Sequence, residues 1–178
     1  MRIISGKYKG RHIRVSKHFS ARPTTDFAKE NLFNFLNNYF DFSDTTVLDL
    51  FGGTGSMSYE FVSRGCPQVD LIENDFKSFN FINKVLAELK ISEVSPIHTD
   101  AFQYLKKTRK QYDLIFADPP YQHQGIDTLP DLVFQNKLLK SKGWFILEHS
   151  DKHNFSAHSA FREHREYGSV NFSIFAEK

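Results

Sequence analysis

Asp118-Pro119-Pro120-Tyr121 sets one carboxylate, two carbonyls and one phenol ring side by side. The prolines carry no backbone N–H and hold φ near one value, so the segment leaves the apolar run before it as a stiff, extended loop. A planar nitrogenous ring can lie on Tyr121 while its amino group donates to Asp118 and to the Pro119 carbonyl. That is chemistry for holding an exocyclic amine. The plainer reading is a strand ending in an ordinary Pro-rich turn.

A second set stands upstream. Asp49 and the turn Gly52-Gly53-Thr54-Gly55-Ser56-Met57-Ser58 follow a short apolar run and precede a helical pattern. Strand, Gly-rich turn and helix open a dinucleotide-type unit. Ser58 takes the place of the third glycine, so the strict nicotinamide-type fingerprint fails. Gly53 and Gly55 lack side chains that would keep a ligand from the backbone, and Asp49 can face a cationic ligand end. Glu73 ends the next strand twenty residues after Gly53. There a carboxylate suits a pair of ribose hydroxyls, with Asn74 beside it. Asp100 can cap the helix after the third strand, accept from an adenine amino group, or do both, while Ala101 offers its N–H.

The elements that must position these residues follow from periodicity. Buried-type strands are expected at residues 46–51, 68–73, 94–98, 112–117 and 143–148, with helices near 26–39, 56–64, 75–90, 100–108 and 125–139. The first helix shows Phe27, Leu32, Phe33, Leu36 and Phe40 on its apolar side. The third shows Phe76, Phe79, Ile82, Val85, Leu86 and Leu89. Hairpins are expected at residues 2–15 and at 161–176 around Gly168. Alternating strands and helices give one α/β domain, 1–178, with a Rossmann-like, mostly parallel seven-stranded sheet. Residues 1–40 add an N-terminal hairpin and helix, and 41–178 form the core. Ligands in such sheets sit beyond the C-terminal ends of the strands at the switch point. The Gly loop, Glu73, Asp100 and Asp118 all fall at such ends.

Composition sets outer bounds. The chain has 178 residues, 40% apolar and 25% charged, which suits one globular domain. Residues 1–30 hold eight Lys/Arg against two Asp/Glu, a net of +6 in a chain whose total is +2. A basic arm on a mildly acidic body fits a polyanion such as nucleic acid; a solvated charged surface fits as well. Lys7, Lys9 and Arg11 form the compact positive patch. Arg22 and Lys29 can face a phosphate or a base, and Thr24 and Thr25 lie beside them, with Thr25 or Asp26 as helix cap. The one cysteine, Cys66, excludes an internal disulfide or a cysteine metal cluster. His149, His153 and His158 fit no strong zinc spacing, so no metal is expected and they read as surface residues. No apolar run is long enough to span a membrane, and no signal-peptide core opens the chain, so a cytoplasmic protein is expected.

Together the Gly loop, Glu73, Asp100 and Asp118-Pro119-Pro120-Tyr121 resemble the S-adenosylmethionine-dependent amino-methyltransferases. More narrowly, nearly the whole chain is similar to the RsmD family of bacterial 16S ribosomal RNA (guanine-N2)-methyltransferases. The matching residues are Arg2-Ile3-Ile4-Ser5-Gly6 with Gly10-Arg11, Arg22-Pro23-Thr24-Thr25-Asp26, Leu32-Phe33-Asn34, Leu48-Asp49-Leu50-Phe51 with Gly53-Thr54-Gly55, and Tyr167-Gly168. The resemblance implies a methyl transfer from S-adenosylmethionine to the N2 of a guanine. It implies catalysis at Asp118, Pro119, Pro120 and Tyr121, with the cofactor at Asp49, Gly52, Gly53, Gly55, Glu73, Asn74, Asp100 and Ala101. RNA contacts would come from Lys7, Lys9, Arg11, Arg22, Thr24 and Thr25. The partner implied is 16S rRNA or the assembling small subunit, met by a monomer. Phe27, Lys29 and Ser58 depart from the family's Arg, Arg and Gly. Two rivals stand beside this reading: an adenine-N6 DNA methyltransferase, since the tetrapeptide suits either amine, and a noncatalytic RNA-binding or ribosome-assembly module.

Overall fold

The computed structural model describes residues 1–15, 24–120 and 122–177. Its helices are α1 (Asp26–Leu36), α2 (Ser56–Ser63), α3 (Phe76–Leu89), α4 (Ala101–Lys107) and α5 (Leu129–Gln135). They alternate with β1 (Thr46–Asp49), β2 (Gln68–Glu73), β3 (Val94–His98), β4 (Tyr112–Ala117) and β5 (Leu139–His149), and the chain closes with β6 (Phe161–Tyr167) and β7 (Val170–Ala176). The sheet order is β3-β2-β1-β4-β5-β7-β6. Neighbours among β1–β5 pair parallel, and β7 runs antiparallel between β5 and β6. The order reverses between β1 and β4, which is where a crevice opens in such sheets.

The central strands read as unbroken apolar runs because helices cover both faces. On one face Val47, Leu71 and Phe116 meet Leu32 and Phe33 of α1, Phe61 of α2 and Ile82 of α3. On the other, Leu48, Ile115 and Phe145 meet Leu105 of α4 and Val133 of α5.

The N-terminal segment departs from a regular hairpin. Its ladder is one bridge, Arg2 to His12, with bonds from Ile3 N to Arg11 O and from Ile13 N to Met1 O. Its stability comes from lying along α2. The Thr54 hydroxyl meets Met1 Sδ, the buried Glu60 carboxylate accepts from Ile4 N and Ser5 N at 2.8 and 3.1 Å, and Lys7 N donates to Ser63 O. At Gly6, with φ +80°, a Cβ would stand 1.7 Å from Ser63 O, so only glycine allows this approach.

Other differences have local causes. α1 stops at Leu36, where Asn38 turns its amide onto Asn34 O and Phe35 O. The helix expected over 125–139 is a 3₁₀ turn, Ile126–Thr128, and then the short α5. Pro130 sits in the first turn of α5, and Lys137 takes φ +53° beyond its end. β5 starts earlier than expected, at Leu139. Phe27 and Phe76 are 61% and 62% exposed, because the buried stripes of α1 and α3 run through Ala28, Leu32 and Leu36 and through Ile82, Val85 and Leu86. His149 is buried rather than a surface residue; its Nε2 meets Ser173 Oγ at 2.8 Å. Among the described residues no group could hold a metal ion, and no helix is long and apolar enough to cross a membrane.

Candidate active site

A cavity of about 1010 Å³ opens over the C-terminal ends of β1, β2, β4 and β5. That is the upper end of the ligand-cleft range, with room for more than one planar group. Thr24, Thr25, Gly53, Glu73, Asn74, Asp100, Ala101, Asp118, Pro119 and Pro120 all line it, as do Phe51, His123, Glu148, Ser169 and Val170. Tyr121 and Arg22 lie outside the described residues.

Glu73 ends β2 and braces the Gly loop. Its Oε2 accepts from Gly53 N and its Oε1 from Asp75 N, both at 2.6 Å. Burial pushes its pKa up, and these backbone donors oppose the rise. A carboxylate has about four acceptor sites, so these bonds do not exhaust Glu73, which lines the cavity. Asp100 N-caps α4 by accepting from Gln103 N at 2.9 Å. The Ala101 N–H lies in the first turn of α4, where a helix has no acceptor of its own. The loop wall is fixed by His123, whose ring stacks on Phe102 with centroids 4.9 Å apart.

Asp49, Gly52 and Gly55 support the loop from behind and do not line the cavity. Asp49 is buried and accepts from the Ser58 hydroxyl at 2.7 Å. Burial raises its pKa to about 6, against the Ser58 bond. Gly55 takes φ +81° at the N-cap of α2, and a Cβ there would strike the Tyr59 ring at 2.4 Å. At Gly52 a Cβ would meet Leu71. These two glycines serve packing of the turn more than ligand approach.

Asp118 leaves β4 next to Glu148 of β5, because the register pairs Ala117 with Leu147. Burial raises the Asp118 pKa well above its ordinary value, and the charges of Glu148 and Asp49 add to the rise. The Thr24 hydroxyl donates to Glu148 Oε2 at 2.8 Å. Thr25 caps α1, accepting from Ala28 N at 3.1 Å. Glu148 and the Ser169–Val170 turn were missed in the sequence. Glu148 stands at the end of the strand expected over 143–148, as Glu73 stands at the end of β2, so the strand-end rule already reached it; β5 extends one residue further, to His149.

The basic patch is elsewhere. Lys9 and Arg11 are exposed, and Lys7 pairs with Glu93 at 3.7 Å. Lys7 docks at the far end of the eight-residue α2, about 11 Å of helix from the cavity side. Lys29 faces neither phosphate nor base. It is 1% exposed and donates to Arg2 O and Ser56 Oγ, with Glu60 at 3.9 Å.

A family model described as "Conserved hypothetical protein 95" matches residues 1–176. The Ribosomal RNA small subunit methyltransferase D of Buchnera aphidicola subsp. Acyrthosiphon pisum is 39% identical over 151 residues, 84% of this chain and 78% of that protein. The protein of the same name from Escherichia coli K12 is 30% identical over 148 residues, 83% of this chain and 74% of that one. The solved structure of Escherichia coli yhhF superimposes with a TM-score of 0.85 at 27% identity, covering 98% of this chain and 96% of that one.

Proposed function

Because the chain belongs to the ribosomal RNA small subunit methyltransferase D (RsmD) family, we propose that it methylates the exocyclic N2 of one guanine in 16S rRNA. The observation that carries this is the shared wall: Asp118, Pro119 and Pro120 line the same cavity as Glu73, Asp100 and Ala101. The residues fit an adenosine-bearing donor. The Glu73 oxygens suit two ribose hydroxyls, and Asp100 with the Ala101 N–H suits an adenine edge. S-adenosylmethionine, when bound, supplies a methyl activated on a sulfonium.

The chain's own part is to aim a poor nucleophile. The lone pair of the guanine amine is delocalised into the ring. Asp118 and the Pro119 carbonyl accept its two N–H bonds, which leaves the lone pair facing the methyl carbon. The Asp118 carboxylate would take the amine's surplus proton as the methyl exchanges its bond to the sulfonium for one to nitrogen. The base must be unpaired or flipped to reach the cavity, and Tyr121 is the stacking platform we assign from the sequence. Lys7, Lys9, Arg11 and Arg22 supply the phosphate contacts in this reading, and Thr24 and Thr25 line the base's entry.

The test is to map methyl marks in 16S rRNA from cells with and without the gene, with nucleoside analysis of RNA methylated by the purified protein. N2-methylguanine at one site supports the proposal. N6-methyladenine, or no mark, overturns it.

A further inference from the structure

Resting on the guanine reading above, we propose that Glu148 is a specificity residue. It accepts the N1–H of the guanine whose amine Asp118 holds, so that the side-by-side carboxyls of β4 and β5 read the base before it is methylated.

Three observations meet here. Ala117 pairs with Leu147 in a parallel ladder, so Asp118 and Glu148 are the next residues of adjacent strands, and such strands lie about 4.8 Å apart. Both residues line one cavity. Glu148 is only 3% exposed, and the Thr24 hydroxyl anchors its Oε2 at 2.8 Å. A carboxylate anchored so deep in a cavity wall presents acceptor sites in a fixed direction. A carboxylate oxygen has two acceptor sites, so the bond from Thr24 does not by itself use up Oε2.

Chemistry then decides which base fits. An amine held at Asp118 brings a flanking ring atom to Glu148. In guanine that atom is N1, which carries a hydrogen, and a carboxylate accepts it. In adenine the ring nitrogen beside the amine is a bare acceptor, and its lone pair would face the carboxylate. Turning the guanine over would offer N3, another bare acceptor. Glu148 therefore rejects adenine and fixes which way round guanine enters. The tetrapeptide is indifferent to this choice; its neighbour on β5 makes it.

The test uses 16S rRNA carrying the mapped target nucleotide as guanine or as 2-aminopurine, presented free and in reconstituted subunits. 2-Aminopurine keeps the amine but has no N1–H. The wild-type protein should favour guanine by about 10- to 100-fold or more in kcat/KM, the scale of losing one buried polar partner. Glu148→Gln offers an amide N–H to the bare N1 and should narrow that ratio at least about tenfold. Glu148→Asp should keep the preference at a lower rate. Calorimetry with S-adenosylmethionine checks that each variant is folded. If Glu148→Gln fails that check, Thr24→Val, which releases the anchor, should narrow the ratio instead. An unchanged ratio in the folded variant, with both substrates slowed equally, overturns the role of Glu148 and leaves the guanine-N2 reading standing. Wild-type protein that methylates neither RNA overturns that reading, and the role of Glu148 with it.

Discussion

The Ser58 hydroxyl on the first turn of α2 donates to Asp49 Oδ2 at 2.7 Å, while Asp49 Oδ1 has no hydrogen-bond partner among the described residues. The carboxyl at the end of β1 is thus half-satisfied, and burial lifts its pKa from 3.8 to about 6. A raised folded-state pKa means that the folded protein binds a proton the unfolded chain has released. Stability from this group is therefore present below pH 3.8, falls between there and about 6, and stays lost above. Asp49→Asn, which can still accept from Ser58, should be more stable than wild type at pH 8 by about 1–3 kcal/mol. The gap should close toward pH 4. Urea unfolding at the two pH values measures it.

Glu60 is 0% exposed and holds Ile4 N, Ser5 N and Arg64 Nε, with Lys29 at 3.9 Å. Glu60→Leu leaves a buried ammonium and two backbone N–H groups without their acceptor and should cost about 3–5 kcal/mol. Lys29→Met should cost less. Burial already drives the Lys29 pKa down against the pull of Glu60, and an apolar chain of similar length fits the same space. Denaturant midpoints of the two variants give the comparison; equal losses would contradict it.

In the proposed reaction Asp118 must be a carboxylate to accept from the amine, and its surroundings favour the protonated form. Turnover should therefore rise with pH through the raised Asp118 pKa. Asp118→Asn should lower kcat by about 10²–10⁴-fold and flatten that rise. S-adenosylmethionine affinity by calorimetry should stay within about threefold, because the Asn side chain keeps the shape of the wall.

Gly6→Ala and Gly10→Ala form a matched pair. Both glycines have φ near +80°, but a Cβ at Gly6 would strike Ser63 O, whereas at Gly10 nothing lies within 4 Å. Gly10→Ala should cost about 1 kcal/mol, the price of left-handed backbone alone. Gly6→Ala should cost more and free the arm, seen as faster proteolysis of residues 1–15.

The order of elements was legible because β1, β2 and β4 are short apolar runs buried on both faces, each followed by a turn signal. Glu73 and Asp118 were legible for a related reason, since each stands at the end of such a run; Asp100 was legible as the cap two residues beyond the half-exposed β3. Glu148 was passed over although the strand expected over 143–148 ends on it, because no Gly or Pro turn follows to mark it; β5 runs one residue further, to His149. The burial of Lys29 was illegible because its partner Glu60 is thirty-one positions away, on a helix whose polar face is covered by the chain's own first residues. Phe27 and Phe76 misled because aromatic character was read as burial, whereas neighbouring smaller residues took the inward stripe.

The turn at Ser169 and Val170 forms part of the cavity wall beside Asp118, and β7 delivers it there by pairing Glu148 with Phe172. A growing polypeptide therefore has its Gly loop, Glu73 and Asp118 long before it has an enclosed pocket. Translation must run past residue 170 before the last wall is in place. A nonsense mutation ahead of that point would remove β7, the pairing partner of both β5 and β6, and with it this wall of the cavity.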